Sequence, residues 1–399
     1  MPWLGCSATV SWIAPTPLGG WGCRHAIQGR PQVLSDATCI GLDVHARSVR
    51  AAAIDPLTGE VREAALGGGD GEVLDFIARV GDARGVRVAY EAGPTGFHLA
   101  RTLEGEGIEC VVAAPSKLLR ASGDRIKTDR RDALHLAQML AAGQVVGVRV
   151  PTVEEESARD LVRARDDVRR ELMAARHRLS KLLLRRGFLY EGKTTWGVAH
   201  RAWLGTIRRV GLGGTQWATL QTFDESWETV CALEARRGRL DEGIARLAEE
   251  SSFAGAVKRL SCLRGISTLT AVGLAVEVGD WQRFTPTSIG SYLGLVPSEH
   301  SSGSTRHQGG LTRTGNAHAR RLLVEAAWHH LPTYHPSATL QARWDKAPRA
   351  VADHAGRGNR RLHKRWLGFK ARKKTPTVAN CAIARELAGW CQVLVTMDA

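Results

Sequence analysis

The chain has 399 residues and a net charge of +15, with 55 Lys and Arg against 40 Asp and Glu. That length allows two or three domains with a sizeable core. The basic excess points to a polyanionic partner, nucleic acid first, with a merely basic ribosome-associated or housekeeping protein as the plainer reading. No apolar run approaches the ~20 residues of a membrane helix. The eight cysteines (Cys6, Cys23, Cys39, Cys110, Cys231, Cys262, Cys381 and Cys391) form no CxxC pair, which argues against zinc and against a disulfide framework. A cytoplasmic, nucleoid-associated protein without a membrane partner is expected.

Residues 1–36 have no basic start and no clean apolar run, so they read as a disordered or mispredicted extension rather than a signal peptide. Regular patterning begins at "ATCIGLDVHARSVRAAAID". Strands are predicted at 38–45, 49–55 and 60–67, the latter two joined by the turn "PLTGE". A helix over 71–80 follows, then a strand at "VRVAYEA", a helix from near Gly96, a strand at "IECVVAA" and a helix through Asp132. The order β-β-β-α-β-α-β-α over 37–150 predicts an α/β, RNase H-like domain: a mixed sheet with helices on its faces.

Residues 151–254 read as a helical, coiled-coil arm. Leu161, Val168, Ala175 and Leu182 recur every seven residues with Leu172 and Leu179 in a second seam, interrupted by Arg165 and Arg186. A second stretch, Val230 to Leu247, is broken by Arg237; the two helices would pair antiparallel or between subunits. A small, mainly α C-terminal domain is expected over 255–335. It begins with "LSCLRGISTLTAVGLAVEVGDWQRF", which resembles a helix-hairpin-helix whose turn amides meet DNA phosphates. Residues 336–399 are expected to form a basic tail, flexible and facing nucleic acid, because 341–374 is dense in Arg and Lys. Trp196, Trp203, Trp217 and Trp227 gather in the arm as core anchors or, more sharply, as stacking platforms for unpaired bases.

The chemistry lies in four acids. The first strand delivers Asp43, the fourth Glu91, and Asp129 and Asp132 stand three apart at the start of a helix in "KTDRRDALHLAQML". Neighbouring strands bring two carboxylates side by side, and a helix presents i and i+3 on one face. Four converging carboxylates repel one another until a divalent cation joins them. Oxygen ligands suit Mg²⁺ or Mn²⁺, which can clamp the attacking and leaving oxygens of a phosphodiester. Taken singly, each acid is more simply a helix cap or a surface ion-pair partner. Asp124 is a lesser spare, and Lys127 and Arg130 would meet the nucleic-acid backbone.

The segments "GLDVH", "YEAGPTGF" and "KTDRRDA", with "SYLGLVPSEHSSGSTRHQGGLTRTGNAHAR" downstream, resemble the DEDD transposases of insertion sequences, the bridge-RNA-guided serine recombinases that include a pilin-gene invertase. The resemblance covers most of 38–335. It implies a RuvC-like catalytic domain, a coiled-coil middle, and a C-terminal domain supplying a nucleophilic serine, here Ser302 with Ser301 as its near competitor. Arg306 and Arg313 would stabilise phosphate charge, and Arg320 and Arg321 would face outward toward backbone. DNA, a structured non-coding guide RNA, and a homodimer or tetramer are the partners it implies. The competing readings are a resolvase-like metal-dependent nuclease acting on branched DNA with water as nucleophile, and an inactive nucleic-acid-binding protein.

Overall fold

A computed structural model describes residues 37–118, 128–212, 217–300, 302, 305 and 307–398. The chain divides into two compact units at Val150/Pro151.

The first unit contains β1 (Thr38–Val44), β2 (Ser48–Ile54), β3 (Val61–Gly67), α1 (Asp70–Val80), β4 (Val86–Glu91), α2 (His98–Gly105), β5 (Glu109–Ala113) and α3 (Asp129–Ala141). The strands form one mixed sheet in the order β3-β2-β1-β4-β5. The β1–β2 and β2–β3 pairs are antiparallel, while β1–β4 and β4–β5 are parallel. Strand alternation sorts the side chains. Ile40, Leu42, Val88 and Tyr90 pack with Phe76, Ile77, Leu99 and Leu103 of α1 and α2. Cys39 and Ala89 pack on the other face with Leu136 and Leu140 of α3. Gly41 lies between Cys39 and Asp43 on that second face. A Cβ there would sit 2.1 Å from the Ala133 carbonyl oxygen and 2.5 Å from the Ala137 nitrogen, so glycine lets α3 lie directly on β1.

The second unit contains α4 (Val153–Arg185), α5 (Val198–Thr206), α6 (Trp217–Glu250), α7 (Ala254–Leu260), α8 (Thr268–Val278), α9 (Ser288–Tyr292), β6 (Pro297–Glu299), β7 (Gln308–Leu311), α10 (Ala317–Ala327), α11 (Ala338–Trp344), α12 (Arg349–Ala371) and α13 (Pro376–Thr396). α4 starts with a capping box, Thr152 accepting from the Glu155 amide while the Glu155 carboxylate accepts from the Thr152 amide. The two long helices α4 and α6 pair within the chain. Arg165 bonds Asp241, Arg176 bonds Glu234 and Arg186 bonds Thr219, a descending register that makes them antiparallel. Arg165 and Arg186, which break the apolar seam of α4, are therefore rungs between the helices, whereas Arg237 pairs with Asp241 of its own helix. Val168, Leu172, Ala175 and Leu179 are buried along the same face.

At its base the pair joins the main core: Ala158, Val162, Ile244 and Ala248 pack with the wholly buried stretch Ala271–Val278 of α8. One expectation fails here: residues 336–398 are not a flexible tail. Val351, Ala355, Leu362 and Trp366 of α12 and Ile383, Leu387, Cys391 and Leu394 of α13 belong to this core. Their apolar residues recur at helical spacing, and burying that face outweighs the cost of ordering a basic segment whose charges stay at the surface. In the turn between α7 and α8 the Leu263 amide donates to the Leu260 carbonyl and the Ile266 amide to that of Leu263. Cys262, Leu263 and Ile266 are buried, and the Arg264 amide donates to the Asn359 side chain of α12.

Candidate active site

The β1–β4 pairing ends at Leu42 opposite Tyr90, so Asp43 and Glu91, the next residues of each strand, stand side by side near the carboxyl ends of two parallel strands. Both follow the alternation that faces α3. Thr128 caps that helix, its hydroxyl accepting from the Arg131 amide. Asp129 is thereby released from the capping role that would otherwise be its simplest explanation. Its Oδ2 lies 3.9 Å from His45 Nε2, and Asp43 Oδ2 lies 3.3 Å from the same nitrogen. Asp43, His45 and Asp129 each offer one ligand atom, all within 4.8 Å of one another. Burial raises the Asp43 carboxyl above the ordinary aspartate value; His45 pulls it back, and the carboxylates of Asp129 and Asp132 add to the rise. Asp43 thus feels the charge of two of the other three acids. Glu91 and Asp132 lie outside that tight triplet, but Glu91 shares an open cavity of about 830 Å³ with Asp43 and His45.

His45 was not singled out by sequence reasoning. The available signal was its position two residues after Asp43, which keeps both side chains on one side of an extended strand. The same cavity is lined by Asp70 and His98, 3.2 Å apart at the starts of α1 and α2. The donor set fits a hard divalent cation: two carboxylate oxygens close enough to share it, and an imidazole able to orient the Asp43 carboxylate.

The remaining predicted residues fall out differently. Ser302 is exposed near the end of the β6–β7 hairpin, where its amide and carbonyl pair with those of Thr305 at 3.2 and 3.1 Å. Arg313 is exposed, with φ of 55°. Arg130 is already paired, its Nε 2.6 Å from Glu63 Oε2. Arg320 and Arg321 do not face outward. Arg320 donates to the carbonyls of Leu293 and Thr314, pinning the loop before α10, and Arg321 pairs with Asp166 and Glu325. Unsatisfied carbonyls and a partly buried carboxylate beside α10 draw these two side chains inward. Lys127, Asp124, Ser301 and Arg306 lie outside the described residues.

That loop is anchored by a buried carboxylate. The Glu277 side chain of α8 is fully buried and accepts two hydrogen bonds from Arg163 at 2.9 Å each, one from Asn316 Nδ2 at 2.6 Å and contact from His318 Nδ1 at 3.0 Å. Burial alone would raise its pKa, but His318, Arg163 and Asn316 outweigh that and hold it well below the ordinary glutamate range. Asn316 in turn caps α10, its Oδ1 accepting from the Ala319 amide.

A mixed sheet with carboxylates at the ends of its central parallel pair, followed by a helical region, is consistent with a DEDD nuclease fold. Residues 40–187 match the family model of DEDD transposases of the IS110 group, and residues 257–343 match that of the IS116/IS110/IS902 transposases. The transposase for insertion sequence element IS1533 of Leptospira borgpetersenii is 30% identical over 344 residues, 84% of this chain and 97% of its own. The Sinorhizobium fredii protein y4qE, whose name places it among transposases, is 38% identical over 306 residues, 76% of this chain and 74% of its own. The transposase for element IS1111A of Coxiella burnetii is 23% identical over 273 residues, 68% of this chain and 73% of its own. The chain belongs to the IS116/IS110/IS902 family of insertion-sequence transposases. No helix among the described residues is long and apolar enough to cross a membrane.

Proposed function

We propose that this transposase cuts and rejoins DNA strands at a divalent-metal site held by Asp43, Glu91, Asp129 and Asp132 of an RNase H-like, RuvC-like domain, with the Ser302 hydroxyl as nucleophile. The observation that carries the reading is the approach of Asp43 and Asp129 around His45, with the Asp43 carboxyl raised by burial and by its acidic neighbours. Such a cluster is held together at a cost that a bound cation removes. Mg²⁺ or Mn²⁺ there would supply Lewis-acid stabilisation of phosphate charge. His45 orients the Asp43 carboxylate, and the close seat of α3 on β1 holds Asp129 in reach of it.

In the covalent step the Ser302 oxygen attacks phosphorus and forms a P–O(Ser) bond, while the phosphodiester bond to one sugar oxygen breaks. The serine proton passes to a base and the departing sugar oxygen takes up a proton. Attack by a second strand's hydroxyl on the phosphoserine reverses this and restores Ser302. The exposure of Ser302 on a hairpin supports a role in reaching a large substrate. The family resemblance implies further that a structured guide RNA selects the DNA by base pairing and that a dimer or tetramer acts; the net charge of +15 is compatible with holding both nucleic acids and does not separate them.

The test is incubation of the full chain with a supercoiled donor carrying element ends and the adjacent transcript, then denaturation, nuclease digestion and mass spectrometry. A nucleotide attached to Ser302, lost in Ser302→Ala and in Asp43→Asn, is the expected result. Strand joining that persists in Ser302→Ala overturns the serine mechanism, and joining that persists in Asp43→Asn overturns the metal site. Joining without transcript overturns RNA guidance.

A further inference from the structure

The far end of the α4–α6 pair carries a pocket that the strand-transfer chemistry does not use. It is a cavity of about 190 Å³ lined by Leu183, Phe188, Tyr190, Trp196, His200 and Trp203. A cavity of roughly 150 Å³ suffices to hold a benzene ring, so this one admits a single aromatic ring system. Its walls are aromatic and ordered. His200 stacks on Trp203 with ring centroids 5.5 Å apart, and Tyr190 meets His200 edge-on at 4.7 Å. Arg176 lies over Trp196 at 5.0 Å and is itself held by Glu234. Two backbone features maintain the arrangement. Trp196 sits at φ of 67°, a left-handed conformation that a bulky residue adopts only when its surroundings impose it. Gly192 leaves room for the Tyr190 ring, whose Cζ would lie 2.4 Å from an added Cβ.

The pocket also contains an unanswered polar group. His200 is only 4% exposed, and its Nδ1 has no hydrogen-bond partner among the described residues. An orphaned buried ring nitrogen is costly unless a ligand completes it. Burial and the nearby Arg201 hold the His200 pKa below the ordinary histidine value, so the ring is neutral near pH 7 and can pair with the edge of an uncharged heterocycle. The surroundings carry positive charge. Glu234 pairs with both Arg176 and Arg201 and Asp224 pairs with Arg208, whereas Lys181 at the mouth and the nearby Arg178, Arg185 and Lys193 are exposed and make no ion pair among the described residues.

We propose that this pocket takes one unpaired nucleobase, which stacks among Tyr190, Trp196 and Trp203 and bonds His200 Nδ1, while the exposed basic side chains hold the flanking phosphates. Aromatic walls with a basic rim are the means by which proteins grip an unstacked base. A second copy of the chain fits less well, because an isologous contact would set these like charges against one another. The inference rests on the reading that the chain handles nucleic acid, and unpaired DNA and RNA share the chemistry.

The experiment uses the full chain and duplexes carrying one bulged 2-aminopurine, in DNA and RNA forms, each with a control whose bulge is abasic. Stronger binding of the bulged base than of the abasic control, by about five- to a hundredfold as expected for one stacked base, with quenching of the 2-aminopurine, supports the pocket. The tighter of the DNA and RNA forms identifies the source of the base. Tyr190→Ala should bring the two affinities together and relieve quenching, whereas Tyr190→Phe, which keeps the ring, should retain both. Equal affinity of the wild-type chain for base and abasic bulge overturns the proposal. So does a Tyr190→Ala chain that loses self-association in sedimentation while keeping its preference for the bulged base, a result that would assign the pocket to a second copy. A chain that ignores the bulge yet still forms the Ser302–DNA link fails this inference alone; one that forms no link but retains the bulge preference fails only the strand-transfer reading.

Discussion

Substituting Gly41 by alanine tests the geometric basis of the proposed metal site without touching an acid. The added Cβ would lie 2.1 Å from the Ala133 carbonyl oxygen, and real Cβ contacts essentially never fall under 3.0 Å. Both atoms it meets are backbone, so no side chain can swing aside and α3 must move away from β1 by roughly 1 Å, with an overpacking cost of about 1–3 kcal/mol. Asp129 and Asp132 ride on the first turn of that helix, whereas Asp43 stays on the strand. A displacement of about 1 Å at a reacting centre costs on the order of a hundredfold in rate. Titration calorimetry with Mn²⁺ and a strand-cleavage assay on the same preparation are the measurements. Weaker metal binding and cleavage lowered by about two orders of magnitude, in a protein that still melts cooperatively, are expected. Wild-type metal affinity and cleavage in Gly41→Ala would refute the argument that this contact sets the distance between the acids.

His45→Ala should lower Mn²⁺ affinity by about 10–100-fold, as loss of a group orienting a ligand does, while leaving the melting temperature of the metal-free protein nearly unchanged. Unaltered affinity would remove His45 from the site. Glu277→Ala strips Arg163 and His318 of their buried partner and should cost about 3–5 kcal/mol in urea unfolding of the second unit; an unchanged midpoint would show that the network contributes nothing. The side chain of His330 is buried, and burial together with Arg264 pushes its pKa down from 6.5 to about 3. The unfolded chain takes up this proton near pH 6.5 and the folded one does not, so stability is complete above that pH and falls as the solution is acidified. The loss amounts to about 4 kcal/mol by pH 3, at ~1.36 kcal/mol per unit. Melting curves between pH 7 and 4 should show the decline in the wild type and a shallower one in His330→Leu; identical slopes would contradict it.

Much of this molecule is written locally. Period-two alternation and turn residues place the strands of the first unit within a residue or two of their observed ends, and β-β-β-α-β-α-β-α connectivity leaves few sheets to choose from. Asp43, Glu91, Asp129 and Asp132 can be proposed as one group from sequence because strand ends and a helix start are local features, and of the four only Asp43 and Asp129 fall in the tight cluster with His45. The family resemblance carried by "GLDVH", "YEAGPTGF" and "KTDRRDA" is likewise a property of short segments. Residues whose roles depend on distant partners could not be read in this way. Gly41 matters because of Ala133 and Ala137, some ninety residues on. Arg320 looks like a phosphate ligand until the carbonyls of Leu293 and Thr314 appear beside it, and Glu277 looks like a misplaced charge in an apolar helix until Arg163, Asn316 and His318 meet it. The basic segment after residue 336 misled for a related reason. Its charge is visible at once, whereas the helical period of Val351, Ala355, Leu362 and Trp366 acquires meaning only when a core exists to receive that face. Local sequence determines where elements form and which residue types they carry. Long-range packing decides which charges are exposed, because a carbonyl or carboxylate left without water must find its partner inside the fold.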